Sequence, residues 1–199
     1  MSSSYRNSLN NWLANLDVKA SRVLDIGGSQ EKLPPRVKSW DVKEYLIADL
    51  PNPHKDSPKP DIAFDLNVSG WYSYDPNEAI PLGVRNKCDI VFCLEVFDYV
   101  WNPQVALSNI EHCLNYKGTA WVTFPSIYPL HQPVEDDALR YMPGGIRKLA
   151  ESVGLEIVQM IPRRFETNLW DQTIRAERMR AAKHEDHNFA GWIVEMRKP

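Results

Sequence analysis

At 199 residues, with 43% hydrophobic and 25% charged side chains, the chain has room for one sizeable core and is too apolar for a disordered polymer. Its net charge of −3 gives no global pull toward nucleic acid or an anionic membrane. No apolar run approaches the roughly 20 residues that span a bilayer. The start, MSSSYRNSLNNWLANL, has neither the apolar segment nor the small-residue cleavage site of a secretory signal. Cys88, Cys93 and Cys113 are odd in number and lack metal-like spacing, so they read as buried free thiols. Together these features predict a cytoplasmic protein with no membrane partner and no metal.

Short apolar runs alternate with amphipathic stretches, the pattern of a mostly parallel sheet covered by helices. Residues 5–16 predict a first helix with Trp12, Leu13 and Leu16 on one side. Arg22–Ile26 is a strand running into Gly27-Gly28, and Glu44–Ala48 a second strand ending at Asp49. The helix between them is short, because Pro34 and Pro35 fit only a first turn. Asp61–Phe64 and Cys88–Cys93 follow as strands leading to Asp65 and to Leu94-Glu95.

Asn102 as cap, Pro103 at the first position and Gly118 as terminator mark the next helix, with Leu107, Ile110, Cys113 and Leu114 on its buried face. Gly118–Phe124 is a fifth strand. A helix from about Pro143 to Val153 then places Ile146, Leu149, Ala150 and Val153 inward, with Gly154 as its stop. Leu155–Ile161 and Phe189–Met196 are two last strands, expected as an edge hairpin, joined by a charged helical stretch near Asn168–Lys183. The expected organisation is one domain over 1–199, with an N-terminal helical extension (1–20) and a charged insertion (162–187).

In open parallel sheets ligands bind beyond the carboxyl ends of the strands. There, strands one to four carry Asp25, Asp49, Asp65 and Glu95, a carboxylate rim suited to a ligand rich in hydroxyls, amines and positive charge. Gly27 and Gly28 let a ligand pack on bare backbone. Asp49 falls 22 residues after Gly27, the spacing at which a second-strand acid reaches two ribose hydroxyls.

Several motifs here resemble a known family. RVLDIGG is similar to the first glycine motif of class I S-adenosylmethionine-dependent methyltransferases, and YLIADL to their second strand with its ribose-binding acid. CDIVFCLEVFDYVWNPQVALSNIEHCLNYKGTAWVTFP resembles their fourth strand, fourth helix and fifth strand, and YPLHQPVEDDALRYMPGGIRKLAESVGLEIV the tail of the type 11-like branch. The resemblance covers roughly residues 20–160.

It implies a Rossmann-like α/β fold, a doubly wound, mostly parallel seven-stranded sheet with an antiparallel strand in a C-terminal edge hairpin, and S-adenosyl-L-methionine as cofactor. The implied cofactor contacts are Asp25, Gly27, Gly28 and Ser29 around the glycine turn, and Asp49 with Leu50 at the ribose. Asp65 with Leu66 would frame the adenine, and Glu95 with Val96 would line the other side. The chain departs from the family where Ser29 and Glu31 replace the second and third glycines, and where Asp98-Tyr99 stands in place of the signature histidine. Glu31 would oppose the cofactor's own carboxylate unless it turned outward or met a cation such as Lys32 or Arg36.

The reaction such a site would run is methyl transfer to an oxygen or nitrogen of a small-molecule or sugar-like acceptor. His131 is the candidate base, with an ordinary pKa of about 6.5 suited to proton abstraction, and Asp98 and Tyr99 are rival substrate contacts. Trp71, Tyr72 and Tyr74 are a substrate lid or loop packing, and Tyr128 and Tyr141 are candidate walls of an acceptor pocket. His112 reads as structural, and His184 and His187 as a solvated helix end. The basic excess in RRFETNLWDQTIRAERMRAAK reads as a solvated helix face before a nucleic-acid surface. The alternatives are a non-catalytic binding or scaffold protein with this fold, which would favour a homo-oligomer or stable partner, and, ranked last, a nicotinamide dehydrogenase lacking its GxGxxG.

Overall fold

The structure is a computed structural model that describes residues 4–51, 53, 57–68, 83–127, 130, 133–164 and 190–199. Helix α1 (Ser4–Leu13) leads into β1 (Asp17–Ile26), a single 3-10 turn (Pro34–Arg36), β2 (Ser39–Asp49) and β3 (Ile62–Ala63). Then come β4 (Cys88–Cys93), α2 (Pro103–Cys113), β5 (Leu114–Pro125), α3 (Pro143–Ser152), β6 (Glu156–Arg163) and β7 (Gly191–Arg197). The strands form one sheet in the order β3-β2-β1-β4-β5-β7-β6. Among the described residues the pairings of β7 with β5 and β6 are antiparallel, and those along β3-β2-β1-β4-β5 are parallel. The fold is therefore the expected α/β sheet with its antiparallel strand in a C-terminal hairpin, β7 lying inside that hairpin and β6 at the edge.

Period-two alternation divides the strands between two cores. Leu24, Ile26, Val91, Cys93, Ala120, Val122 and Phe124 face α2 and α3, where Leu107, Ile110, Ile146 and Ala150 meet them. Val23, Phe92, Trp121 and Ile193 face the other way, under α1, with Leu9 and Leu13. Trp12 packs on Trp121 with ring centroids 4.8 Å apart, fixing α1 across the sheet. The three thiols are free and buried, and burial pushes each of them up.

Several boundaries differ from the sequence reading, and the first helix already ends at Leu13 rather than at residue 16. Strands β1 and β2 extend at their starts, where Asp17–Lys19 pair with Ser39–Asp41. Helix α2 stops at Cys113, and Leu114, with φ −69° and ψ 137°, already belongs to β5 and pairs with Cys88. Gly118 thus ends no helix; a Cβ there would lie 3.0 Å from the Cys88 carbonyl, so its role is close approach inside the strand pair. Asn102 occupies the cap position of α2 without a side-chain cap bond. The acceptor there is Asn67, whose Oδ1 takes the amides of Trp101 and Asn102 at 2.9 and 3.2 Å. Strand β6 runs through Arg163, so Pro162 and Arg163 are strand rather than insertion. The charged stretch 168–183, Trp71, Tyr72, Tyr74, Tyr128, His131, His184 and His187 lie outside the described residues.

Candidate functional site

Strand order reverses between β1 and β4, which leaves a crevice beyond their carboxyl ends. The chain after β1 turns there at Gly27, whose φ of +80° only glycine adopts without strain. A Cβ on Gly27 would run into Val96 Cγ2, and one on Gly28 into the Asp25 carboxylate. Both glycines are required by close approach, and the turn stays thin enough to expose backbone to the crevice.

Beneath the turn lies Asp25, only 3% exposed. Tyr45 donates its hydroxyl to Asp25 Oδ2 at 2.6 Å and accepts the Leu33 amide at 3.2 Å, tying both ends of the loop to β2. Burial pushes the Asp25 carboxyl up to about 7, with Asp49 adding to the rise while Tyr45 and Arg36 oppose it. Asp25 is therefore a support for the turn, not an open rim carboxylate.

Asp49 is the last residue of β2. Its Oδ1 accepts its neighbour Leu50's amide at 2.8 Å, and its Oδ2 faces the Ser29 amide at 3.4 Å. The Ser29 hydroxyl is buried with no hydrogen-bond partner. Asp65 Oδ1 accepts the Asn67 amide at 2.9 Å, forming a local turn, and Leu66 is buried beside it. Asn109 of α2 holds this segment by donating to the carbonyls of Leu66 and Val68 at 3.0 and 2.8 Å.

Glu95 follows β4 in the left-handed region, with φ +59°. Its amide donates to Thr123 Oγ1 at 2.7 Å. Its carboxylate is held by both amino groups of Arg163, Nη1 on Oε1 and Nη2 on Oε2 at 3.1 Å. The Arg163 side chain is fully buried and that of Glu95 31% exposed. Of the four rim carboxylates expected from sequence, Asp49 and Asp65 remain the open ones, because Asp25 is buried and Glu95 is engaged.

These elements wall a cleft of about 1240 Å³. It brings together Asp25, Gly27, Gly28, Asp49 and Leu50 on the β1–β2 side, Asp65 and Leu66 beyond β3, and Glu95, Val96 and Tyr99 beyond β4. Ser29 and Asp98 are buried behind that surface, and Tyr141 packs against Phe97 and Phe124 in the core. Burial pushes the Tyr99 hydroxyl up to about 12, with Asp98, Asp137, Asp136 and Glu95 adding to the rise, so it keeps its proton near neutrality. Tyr99 can donate a hydrogen bond but is a poor base. Leu50 and Trp101, 47% and 66% exposed, put apolar surface on the cleft's rim.

Glu31 does meet cations. Its Oε2 is bonded by Arg6 of α1 and lies 3.4 Å from Arg36 Nη1. Arg36 was legible as a partner; Arg6, 25 residues away on another element, was not. Arg163 was missed as well, because in RRFE a buried arginine has the same sequence signature as a solvated one. Among the described residues no group of three or more His, Cys, Asp or Glu is placed to hold a metal. No helix among them is long and apolar enough to cross a membrane.

No protein-family model matches the sequence, and no curated protein matches it. Solved structures do. A candidate methyltransferase from Bacillus halodurans is 14% identical and superposes with a TM-score of 0.59, over 96% of this chain and 98% of that one. An S-adenosylmethionine-dependent methyltransferase from Mesorhizobium loti is 13% identical, with a TM-score of 0.56 over 98% of both chains. The cyclase SpnF is 16% identical, with a TM-score of 0.55 over 98% of this chain and 80% of its own. The chain has the fold of the class I S-adenosylmethionine-dependent methyltransferases.

Proposed function

We propose that the cleft binds S-adenosylmethionine and that the protein transfers a methyl group to an oxygen or nitrogen of a small-molecule or sugar-like acceptor. The observation that carries this is one juxtaposition: the bare Gly27–Gly28 turn and the Asp49 carboxylate share a cleft at the point where strand order reverses. The residues present fit such a cofactor. The turn has no room for side chains, and the acidic Glu31 is neutralised by two arginines.

In this reading Asp49 accepts hydrogen bonds from the ribose hydroxyls, while Asp65 and Leu66 frame the base with Leu50 at its edge. Gly27 and Gly28 offer backbone to the amino-acid end, and Val96 closes the opposite wall. When bound, S-adenosylmethionine supplies a methyl group already activated by its sulfonium, so the protein contributes mainly alignment. Tyr99 holds its proton and donates to the acceptor, with Asp98 behind it raising that proton's affinity. His131 is the proposed base for an acceptor that must lose a proton.

A second reading, a non-catalytic binding protein, is favoured by one feature. Ser29 and Glu31 stand where the family's glycines would be, and Glu31 is held by charges that a ligand would need. The proposal is tested by calorimetric titration with S-adenosylmethionine and, separately, S-adenosylhomocysteine. Saturable binding of both is expected, and Asp49→Ala should abolish it while keeping the circular dichroism of the fold. Absence of binding to either compound would overturn the methyltransferase reading.

A further inference from the structure

The wall of the cleft beside the glycine turn carries three charged side chains from separate segments: Arg6 of α1, Glu31 of the loop, and Arg36 closing the 3-10 turn. Glu31 Oε2 takes both cations, Arg6 Nη2 directly and Arg36 Nη1 at 3.4 Å. Arg36 is braced by a second bond, Nη2 donating to Asn10 Oδ1 at 3.0 Å, and its side chain is only 17% exposed. The side chains of Arg6 and Glu31 are 51% and 46% exposed, so their contact exchanges readily with water. Two guanidinium groups converging on one oxygen are a receptor for a carboxylate. The chain supplies that carboxylate itself.

We infer that Glu31 is a tethered occupant of an Arg6–Arg36 carboxylate site, displaced when the amino-acid end of the nucleoside ligand brings its own carboxylate. The inference rests on the cofactor reading above and adds an internal competitor to it. A tethered carboxylate competes at an effective concentration set by its loop, lowering apparent affinity by the fraction of time the site is closed. Only ligands with a carboxylate compete for the arginines, so a nucleoside lacking the amino-acid end is indifferent to Glu31.

The experiment titrates the wild type, Glu31→Gln, Arg36→Met and the double variant with two probes. S-adenosylhomocysteine carries the amino-acid end; methylthioadenosine is the same thioether nucleoside without it. Glu31→Gln should bind S-adenosylhomocysteine about three- to tenfold more tightly and leave methylthioadenosine within about twofold of wild type. Arg36→Met should weaken S-adenosylhomocysteine selectively, and in the double variant the gain from Glu31→Gln should vanish. A gain that persists without Arg36 would mean a general effect of removing a negative charge, and would overturn the displacement. Weaker binding of S-adenosylhomocysteine to Glu31→Gln would make Glu31 the partner of the ligand's ammonium and overturn it too. Wild-type binding of both probes with a ratio that no variant moves overturns this inference alone, whereas binding of neither overturns the cofactor reading with it. Melting curves of the variants check that each is folded.

Discussion

Asp25 gives the sharpest quantitative handle on the site. Its carboxyl titrates at about 7 in the fold against an ordinary value of 3.8, chiefly because burial penalises the charge. Between those values the native state binds more protons than the unfolded chain, so this group lowers stability as pH rises from about 4 to about 7, after which its effect is flat. Each pH increment of one within that window costs about 1.36 kcal/mol, so the loss accumulated between about pH 5 and about pH 8 comes to about 3 kcal/mol. Asp25→Asn removes the titration and leaves the Tyr45 hydroxyl an amide oxygen to donate to. Fixed costs of the substitution, such as an amide proton without an acceptor, are equal at both values and cancel. Urea unfolding of both proteins at the two pH values reads the difference. The variant's stability relative to wild type should improve by about 3 kcal/mol at the higher pH. A difference that does not change with pH would refute the account of Asp25 as a buried support whose charge the fold resists.

Two further substitutions test the walls of the cleft. Gly27→Ala places a side chain at φ +80° and drives its Cβ into Val96 Cγ2; urea melts should show a loss of about 1–3 kcal/mol, and nucleoside binding should weaken with it. Arg163→Met leaves Glu95 without its bidentate partner. Because the Glu95 side chain is 31% exposed, the loss should be about 2 kcal/mol rather than the full penalty of a buried pair. Adding Glu95→Gln to Arg163→Met should restore part of that stability.

The sequence was most informative where one physical demand dominates. CDIVFC is apolar apart from Asp89 and β4 is those six residues, because a strand covered on both faces admits little else. Pro103 marked the start of α2 for an equally simple reason, its missing amide. The starts of β1 and β2 were hidden because DVKAS and SWDVK turn only alternate residues, Val18, Ala20, Trp40 and Val42, onto the core under α1, while the polar side chains between them face water. The LNYK segment looked helical from its apolar spacing until Cys88 claimed Leu114 as a strand partner.

At the site, the glycine turn and Asp49 could be found from spacing alone, since both follow from local geometry. The state of the other carboxylates could not. Asp25 and Glu95 sit at the same kind of strand end as Asp49, and only Tyr45 and Arg163, 20 and 68 residues away, decide that they are engaged. Those partners meet through tertiary packing, which no motif encodes.

The most direct test of the central claim is a crystal structure of the protein grown with S-adenosylhomocysteine. The account predicts the nucleoside in the cleft beyond β1 and β4, with its ribose hydroxyls on the Asp49 carboxylate and its amino-acid end over Gly27 and Gly28. A ligand bound elsewhere, or one in the cleft with its ribose away from Asp49, would contradict it.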